Sequence, residues 1–239
     1  MGSGKTATRV YEMQENIFKT FQYSNIETSI KNHTTLKPFM IIKKELAKTK
    51  IKKDGDIVES YKYSPNLDFW QKAKKPISIT LDEAHNLVDS RDSQSPKNKA
   101  ITKWQTAIRR ILGQTEAGYG ELCYITQIPD ALDIRIRLLA SCIQYHILHY
   151  VRMCKKCFLE WGENSDLPQS MRICPRCKEI DTIRKNFVVE IYKFENIDKF
   201  YIWLNRGEKT YYDNYFIMDI ERIFPLYKSL QWENLFEDY

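Results

Sequence analysis

The sequence predicts an α/β domain built on a largely parallel sheet, with a small β-rich insertion and without the first strand of that sheet. Three stretches predict this fold. The chain opens on a glycine-rich turn that leads into a helix, and a short apolar run near the middle ends in two carboxylates. Two closely spaced cysteine pairs lie late in the chain, between β-rich runs. Alternating strands and helices are typical of parallel sheets.

The composition is that of a folded protein. The chain has 239 residues, 43% of them hydrophobic and 13% aromatic, with only eight glycines and eight prolines. Its formal net charge of +6 permits an anionic partner without requiring one. No run of about 18 apolar residues occurs, and the N-terminus lacks the pattern of a signal peptide, so we expect no membrane span.

The opening stretch, "MGSGKTATRV", matches most of a phosphate-binding loop. In the full pattern, G-x-x-x-x-G-K-[ST], backbone N–H groups cradle phosphates at the start of a helix. Gly4, Lys5 and Thr6 supply the last three positions, and Gly2 and Ser3 fall within the loop. The first glycine would precede Met1, so we expect a strand and a glycine-containing turn upstream in frame, and weak ATP binding without them. The helix is predicted to run from about Lys5 to Phe21.

A lysine-rich stretch follows at residues 43–56, "KKELAKTKIKKDGD". We interpret it as a solvated helix and turn, and a role in binding nucleic acid stays open as the alternative.

The stretch "KPISITLDEAHNL" has the pattern of a buried parallel strand. Ile77, Ile79 and Leu81 form its apolar run, and Asp82 and Glu83 follow where such strands carry catalytic groups. Beside a phosphate loop, an aspartate can hold Mg²⁺ and an adjacent glutamate can activate the attacking water. Asp82 is therefore the predicted magnesium partner and Glu83 the predicted catalytic carboxylate.

A second buried strand is predicted in "ELCYITQIPD", over Leu122 to Ile125. Gln127 comes just after it, where its amide could contact the γ-phosphate of ATP or the attacking water. The alternative is that Gln127 only caps the end of the strand.

Four of the six cysteines form two C-x-x-C pairs, Cys154 with Cys157 and Cys174 with Cys177. Tetrahedral Zn²⁺ takes four thiolates, and this spacing fits a zinc ribbon. Two disulfides or a redox pair are the alternatives, and both are disfavoured in a chain without a secretory signal. We interpret the remaining two, Cys123 and Cys142, as core residues.

The runs "CIQYHILHYVRMC" and "NFVVEIYKFEN" flank the cysteine pairs and predict a long hairpin that extends from the core sheet and carries the zinc ribbon at its tip. His146 and His149 are expected to be partly buried strand residues.

The predicted segments are a core over 1–142, the hairpin over 143–194 with its ribbon at 154–177, and a completion of the core over 195–239. Basic residues crowd the tip and suit phosphate or an acidic partner: Lys155, Lys156, Arg172, Arg176 and Lys178.

Two stretches together, "LDEAHNLVDSRDSQSPKNKAITKWQTAIRR" and "ELCYITQIPDALDIRIRLL", carry a family resemblance. They resemble the zonular-occludens-toxin-like and FtsK/HerA-type P-loop ATPases of phages, archaeal viruses and mobile elements. The resemblance spans residues 2–139 and implies a RecA/FtsK-like P-loop NTPase fold. It also implies an ATP-driven motor that packages, exports or translocates DNA, usually as a ring of six subunits. The missing first strand and the zinc ribbon depart from the family pattern.

The resemblance assigns roles to individual residues. Lys5 becomes the phosphate-binding lysine, Thr6 the Mg²⁺ hydroxyl, and Gln127 the sensor. Arg109 or Arg110 would reach the γ-phosphate held by a neighbouring subunit, although two adjacent arginines also suit a solvated helix face. The expected cofactors are ATP, Mg²⁺ and Zn²⁺, the expected partners are DNA and further copies of the chain, and the expected location is the cytoplasm or a virion.

Two other interpretations fit parts of the sequence. The letters Asp-Glu-Ala-His also occur in a group of nucleic-acid helicases, but these need a second domain with a glutamine- and arginine-rich motif. The chain has neither, so His85 is interpreted as a helix-start residue. The second interpretation is a zinc-ribbon adaptor that binds nucleic acid or protein, on a degenerate P-loop fold that does not hydrolyse nucleotide.

Overall fold

A computed structural model of the chain describes residues 4–51, 57–87, 94–116, 118–163 and 173–228. The chain divides into two compact units. The first contains residues 1–12 and 140–227, and the second contains residues 13–139 and 228–239. The predicted segment boundaries at 142 and 194 stay a prediction.

The described residues form seven α-helices and twelve strands, with 3-10 turns at Pro129–Ala131 and Ile220–Leu226. The helices are α1 (Lys5–Glu15), α2 (Pro38–Ile41), α3 (Leu67–Lys72), α4 (Ala84–Leu87), α5 (Pro96–Ile108), α6 (Ile134–Leu139) and α7 (Ile197–Arg206). The strands are β1 (Phe21–Ser24), β2 (His33–Thr35), β3 (Ile42–Ile51), β4 (Ile57–Pro65), β5 (Ile77–Leu81), β6 (Gln114–Thr115), β7 (Gly118–Tyr119), β8 (Glu121–Tyr124), β9 (Ile143–Cys154), β10 (Glu160–Glu163), β11 (Thr182–Phe194) and β12 (Asp213–Ile217).

The second unit contains a four-stranded sheet in the order β2-β1-β5-β8, in which all neighbouring strands are parallel. The predicted parallel sheet is therefore present. Every residue of β5 is buried, as the apolar run predicts, because a strand inside a parallel sheet is covered on both faces. Trp70 and Trp104 are fully buried in the core beside this strand. The second predicted strand is also present as β8, although its four residues are only half-buried.

The first unit contains an antiparallel sheet in the order β10-β9-β11-β12. β9 and β11 form the predicted long hairpin, paired from Ile143 opposite Phe194 to Cys154 opposite Thr182. The expectation that it extends from the parallel sheet was wrong, because its strands pair within this separate antiparallel sheet. Its cysteine pairs lie at the end of this ladder. Aromatic side chains of α7 pack against Tyr145 and Tyr192 on one face, with ring centroids 5.2 Å and 5.1 Å from Trp203.

The predicted helix in the lysine-rich stretch was wrong for residues 43–51, and the rest of the stretch, residues 52–56, lies outside the described residues. Residues 42–51 form β3, which pairs with β4 in an antiparallel ribbon. Lys, Glu, Leu and Ala favour helices, but the partner segment, "IVESYKYSP", is rich in β-branched and aromatic residues. Pairing with that segment satisfies the backbone of β3, so a tertiary contact overrides the local preference.

Two smaller predictions were also wrong. α1 ends at Glu15, so its predicted extension to Phe21 fails, because Phe21 already begins β1. Cys142 is exposed, with its Sγ 3.2 Å from the hydroxyl of Tyr212, and Cys123 is only half-buried in β8. Neither cysteine is a core residue. Among the described helices, none combines the length and the apolar character needed to cross a bilayer.

Candidate functional site

The carboxyl ends of three neighbouring parallel strands carry polar side chains in the second unit. β1 is followed by Asn25, β5 by Asp82 and Glu83, and β8 by Thr126 and Gln127. Because β5 lies between β1 and β8 in the sheet, these residues share one edge of it. Ligands of open α/β sheets bind outside this edge.

The acidic pair is held on its β1 side by Asn25. The Nδ2 of Asn25 donates to the carbonyl oxygen of Asp82 at 2.9 Å, and its Oδ1 accepts from the backbone N–H of Asp82 at 2.7 Å. On the β8 side, Ile125 accepts from the N–H of Ala84 and donates to the carbonyl of Leu81, both at 2.9 Å. The backbone around the acidic pair is therefore fixed from both neighbouring strands.

Glu83 has a left-handed backbone conformation, with φ of 50°. This region is uncommon for residues with a side chain, and such conformations concentrate at functional sites. The backbone N–H of Glu83 donates to Oδ1 of Asp82 at 3.0 Å, which holds the carboxylate of Asp82 against the backbone of Glu83.

Two side chains contact the carboxylate of Glu83. Gln127 was predicted at this site from the sequence, whereas His85 was not. Nε2 of Gln127 donates to Oε1 of Glu83 at 2.7 Å. Nδ1 of His85 lies 3.4 Å from Oε2 of Glu83 and 3.2 Å from the hydroxyl of Thr126. Glu83 keeps 36% of its side chain exposed, so the carboxylate is oriented by protein and still open to a reactant.

The two predicted arginines follow α5, which begins at its N-cap Ser95 and ends at Ile108. Arg109 occupies the C-cap position, and both Arg109 and Arg110 are exposed. Burial raises the pKa of Tyr124 well above its usual value, and the positive charge of Arg109 acts against that shift. Arg109 therefore lies near the end of β8, and Arg110 lines a shallow surface depression on α5.

The predicted phosphate-loop residues belong to the first unit. Gly2 and Ser3 lie outside the described residues. Gly4 has φ of 82°, and the helix starts directly after it at Lys5, as predicted, with the N–H of Thr8 donating to the carbonyl of Gly4 at 2.8 Å.

The first turn of α1 packs on the antiparallel sheet of the same unit. A Cβ placed on Gly4 would lie 2.7 Å from Cγ2 of Val189. The hydroxyl of Thr8 lies 3.3 Å from Nδ1 of His146. Burial, with a smaller contribution from the charge of Lys5, lowers the pKa of His146 to about 4. His146 is thus a neutral, half-buried strand residue at pH 7, as is consistent with the sequence prediction.

The four cysteines of the two C-x-x-C pairs converge in the first unit. Their Sγ atoms all lie within 4.8 Å of one another. Two of the separations, Cys154 to Cys177 and Cys157 to Cys174, are 3.5 Å. A disulfide requires about 2.05 Å. Four sulfurs bound to one Zn²⁺ at about 2.3 Å are separated by roughly 3.8 Å, so the cluster has the dimensions of a Cys₄ site.

Both cysteine turns have the same backbone geometry. The N–H of Cys157 points at the sulfur of Cys154, and the N–H of Cys177 points at the sulfur of Cys174, each at 3.5 Å. The residue after each turn, Phe158 and Lys178, has a φ near 60° and donates its N–H to the carbonyl of the first cysteine at 3.0 Å. N–H groups aimed at sulfur stabilise thiolates, which are the form that binds metal.

The basic residues at the hairpin tip are partly neutralised by nearby carboxylates. Nζ of Lys155 lies 2.8 Å from Asp181, and Nζ of Lys156 lies 4.0 Å from Glu179. Arg176 and Lys178 are exposed, and Arg172 lies outside the described residues. The tip is therefore a mixed-charge surface.

Sequence patterns did not indicate Asn25, and they gave His85 no role beyond starting a helix. His85 does lie in the first turn of α4, but its ring also contacts Glu83. The signal for Asn25 was a polar residue directly after a short strand. It becomes meaningful only once β1 is known to be the neighbour of β5.

Neither a protein-family model nor a curated protein matches this chain. Among solved structures, the chain is similar to the N-terminal domain of zonular occludens toxin from Neisseria meningitidis. The two are 17% identical, the alignment covers 95% of this chain and 94% of that one, and the TM-score is 0.45.

Proposed function

We propose that this chain is an ATP-hydrolysing subunit of a motor that moves DNA. The observation that carries the proposal is the carboxylate of Glu83, which follows the buried strand β5 and accepts a hydrogen bond from Gln127 at 2.7 Å. Phosphoryl transfer to water needs little covalent chemistry from the protein. It needs a positioned carboxylate or amide that orients the attacking water.

Glu83 and Gln127 divide this task. Glu83 accepts a proton from the attacking water or orients it, and Gln127 holds the glutamate side chain in place and contacts the γ-phosphate. His85 contacts the same carboxylate from its other oxygen, at 3.4 Å. Asp82, adjacent to Glu83, supplies the carboxylate for the metal ion.

The cofactors follow from the residue types. Mg²⁺ prefers oxygen ligands, and the carboxylate of Asp82 would offer one. When bound with ATP, Mg²⁺ neutralises charge on the phosphates. Lys5 and Thr6 are assigned to nucleotide binding on the sequence pattern alone.

The experiment that tests hydrolysis compares phosphate release from Mg²⁺–ATP by the wild-type chain and by Glu83→Gln. We expect the variant to lose a factor of about 100 or more in turnover, as is typical when a general base is removed, while it retains ATP binding. Glu121→Gln is the matched control. Glu121 lies at the opposite end of β8, where it accepts from the hydroxyl of Ser78 at 2.9 Å.

Absence of Mg²⁺-dependent turnover in the wild-type chain contradicts the proposal, and so does turnover that survives Glu83→Gln unchanged. A loss of turnover in Glu121→Gln as large as in Glu83→Gln would point to general damage of the sheet.

We further propose that the cysteine cluster binds one structural Zn²⁺. The donor set fits, because four thiolates form a closed tetrahedral site and the sulfur separations of 3.5 Å suit one ion. Zn²⁺ bound there would stabilise the hairpin tip and take no part in hydrolysis.

The motor is proposed to act as a ring of identical subunits on DNA. Arg109 and Arg110 are exposed at the end of α5, which suits a contribution to the site of a neighbouring subunit. Specific ATPase activity should then rise with protein concentration, because each site is complete only in the assembly. Activity that stays constant on dilution into the monomer range would contradict the ring.

The second candidate function is a zinc-ribbon adaptor on a P-loop fold that does not hydrolyse ATP. It is favoured by the packing of Gly4 against Val189, which shows that the first turn of α1 has a structural role on the antiparallel sheet. A wild-type chain that binds Zn²⁺ but does not turn over ATP would support the adaptor.

A further inference from the structure

The β3–β4 ribbon is a two-stranded element with exposed residues on both faces. Residues 45–49 and 59–62 are exposed, whereas its base is held by Ile42, which is fully buried, and by an ion pair of 2.6 Å between Lys43 and Asp68. Two strands without a covering layer are marginal by themselves. The exposed half of this ribbon is therefore not explained by packing.

The ribbon is also the most lysine-rich part of the chain. Residues 43–62 contain seven lysines and four acidic residues, a net charge of +3, against +6 for all 239 residues. Half of the excess positive charge thus falls in 20 residues. Two lysines lie beside carboxylates at the hairpin tip of the first unit, and Lys43 does so at the base of the ribbon.

A bulge in β3 places Lys48 on the same face of the ribbon as Lys43. The pairing of β3 with β4 shifts between Leu46 and Lys48. Lys48 therefore lies opposite Ser60, whereas Lys43 lies opposite Ser64. Ser60, Lys62 and Ser64 alternate along β4, so they share a face of the ribbon. The residues opposite them on β3, which are Lys48, Glu45 and Lys43, lie on the same face. Without the bulge, Lys48 would point to the opposite face.

The same face also carries one carboxylate, that of Glu45, directly opposite Lys62. Ser60 and Ser64 have short side chains, so the charged side chains protrude beyond them. The opposite face carries Tyr61, whose ring lies 4.4 Å from Nζ of Lys44, and the exposed Leu46. Lysines therefore outnumber the one acidic residue, Glu45, on the first face. The second face mixes the charged side chains of Lys44 and Glu59 with Leu46 and Tyr61.

We propose that the β3–β4 ribbon binds double-stranded DNA, with Lys48 and Lys62 contacting backbone phosphates. The major groove of B-DNA is about 12 Å wide and admits a two-stranded β-ribbon. Lysines on such a ribbon reach the phosphates that flank the groove and give affinity without sequence preference. The proposal shares its DNA partner with the proposed motor, but it requires no nucleotide hydrolysis.

The test measures fluorescence anisotropy of a labelled 20-base-pair duplex with the full chain, without ATP, over a series of NaCl concentrations. Each phosphate contact adds about 0.9 to the slope of log K against log salt. The double variant Lys48→Ala/Lys62→Ala should lower the slope by about 1.8 and weaken binding at 0.1 M NaCl by about tenfold or more. The matched control is Lys19→Ala/Lys31→Ala, which removes two exposed lysines from loops of the same unit.

Three results would overturn the proposal. The first is a wild-type chain that does not bind the duplex. The second is a ribbon variant that keeps the wild-type salt slope. The third is tighter binding of single-stranded DNA or of heparin than of the duplex, with the same dependence on Lys48 and Lys62. Thermal unfolding of both variants checks that the fold is retained. Glu83→Gln should bind the duplex as the wild type does, so failure of the ribbon and failure of the proposed ATPase are distinguishable.

Discussion

The side chain of Asn25 forms two hydrogen bonds with the backbone of Asp82, one to its carbonyl oxygen at 2.9 Å and one from its N–H at 2.7 Å. A primary amide that donates and accepts in this way takes the place of a backbone peptide group. It continues the pairing of β1 with β5 by one position beyond Ser24, which is paired with Thr80. The direction in which the acidic pair leaves the sheet is thus set by a residue 57 positions earlier in the chain.

Asn25→Ala should release the backbone of Asp82. We expect faster hydrogen exchange of the Asp82 amide and lower ATP turnover with nearly unchanged ATP affinity, because the variant alters the position of Glu83 and removes no phosphate contact. Loss of two hydrogen bonds at a half-buried site should cost about 1–3 kcal/mol.

Asn66→Ala is the control for that variant, since Nδ2 of Asn66 also donates to a distant backbone carbonyl, that of Phe39, at 2.6 Å. It should lower stability without changing turnover per folded molecule. Unchanged exchange at Asp82 in Asn25→Ala would show that Asn25 does not position the pair, whether or not the chain hydrolyses ATP.

The cluster of four cysteines predicts that the purified protein contains bound zinc. Protein purified without chelator should contain one zinc per chain by elemental analysis, and Cys174→Ser should remove it, because a Cys₄ site with one ligand missing binds zinc far more weakly. Chelation should lower the stability of the hairpin tip. Cys142→Ser is the control, since its exposed sulfur lies beside Tyr212 and outside the cluster. Protein free of zinc, or wild-type zinc content in Cys174→Ser, would refute the site.

Gly4 and Gly207 form a matched pair for the packing of α1. Both have left-handed backbone conformations, with φ of 82° and 70°, but a Cβ on Gly207 meets nothing within 4 Å. Gly207→Ala should cost about 1–2 kcal/mol for the conformation alone. Gly4→Ala should cost about 1–3 kcal/mol more, because its Cβ would overlap with Val189. Equal losses in urea unfolding would mean that the first turn of α1 does not pack on β11.

Stability should fall as the pH is lowered from about 6.5 toward 4. Burial lowers the pKa of His33 to about 4, and burial together with Lys5 lowers that of His146 to about 4. Both rings are neutral in the folded chain above these values, whereas the unfolded chain takes up protons below about 6.5. Stability is therefore complete above pH 6.5 and is lost below it, by at most about 1.4 kcal/mol per pH unit for each histidine and less where solvent reaches the ring.

The variants His146→Asn and His33→Asn test the pH dependence in urea unfolding at pH 7.5, 6.0 and 5.0. Each should flatten the profile relative to the wild type, because asparagine can keep a hydrogen bond to Thr8 or Ser24 but does not titrate. A wild-type profile that both variants reproduce would show that neither ring is held neutral.

Two features of the chain could be predicted from local sequence patterns. The apolar run at Ile77–Leu81 is long enough and uniform enough to predict a buried parallel strand with carboxylates at its end. The spacing of the four cysteines predicted a cluster, because two short turns that share a hairpin tip bring their sulfurs together with little freedom.

Other features depend on which segments are neighbours in space, and these became visible in the tertiary structure. Asn25 gains its role from the pairing of β1 with β5, and that pairing has no signature near residue 25. Residues 43–51 of the lysine-rich segment form a strand because they pair with β4, although their side chains favour a helix. Local patterns report the conformational preference of a segment in isolation. Strand pairing depends on contacts between residues far apart in the chain, and local patterns do not show which segments make those contacts.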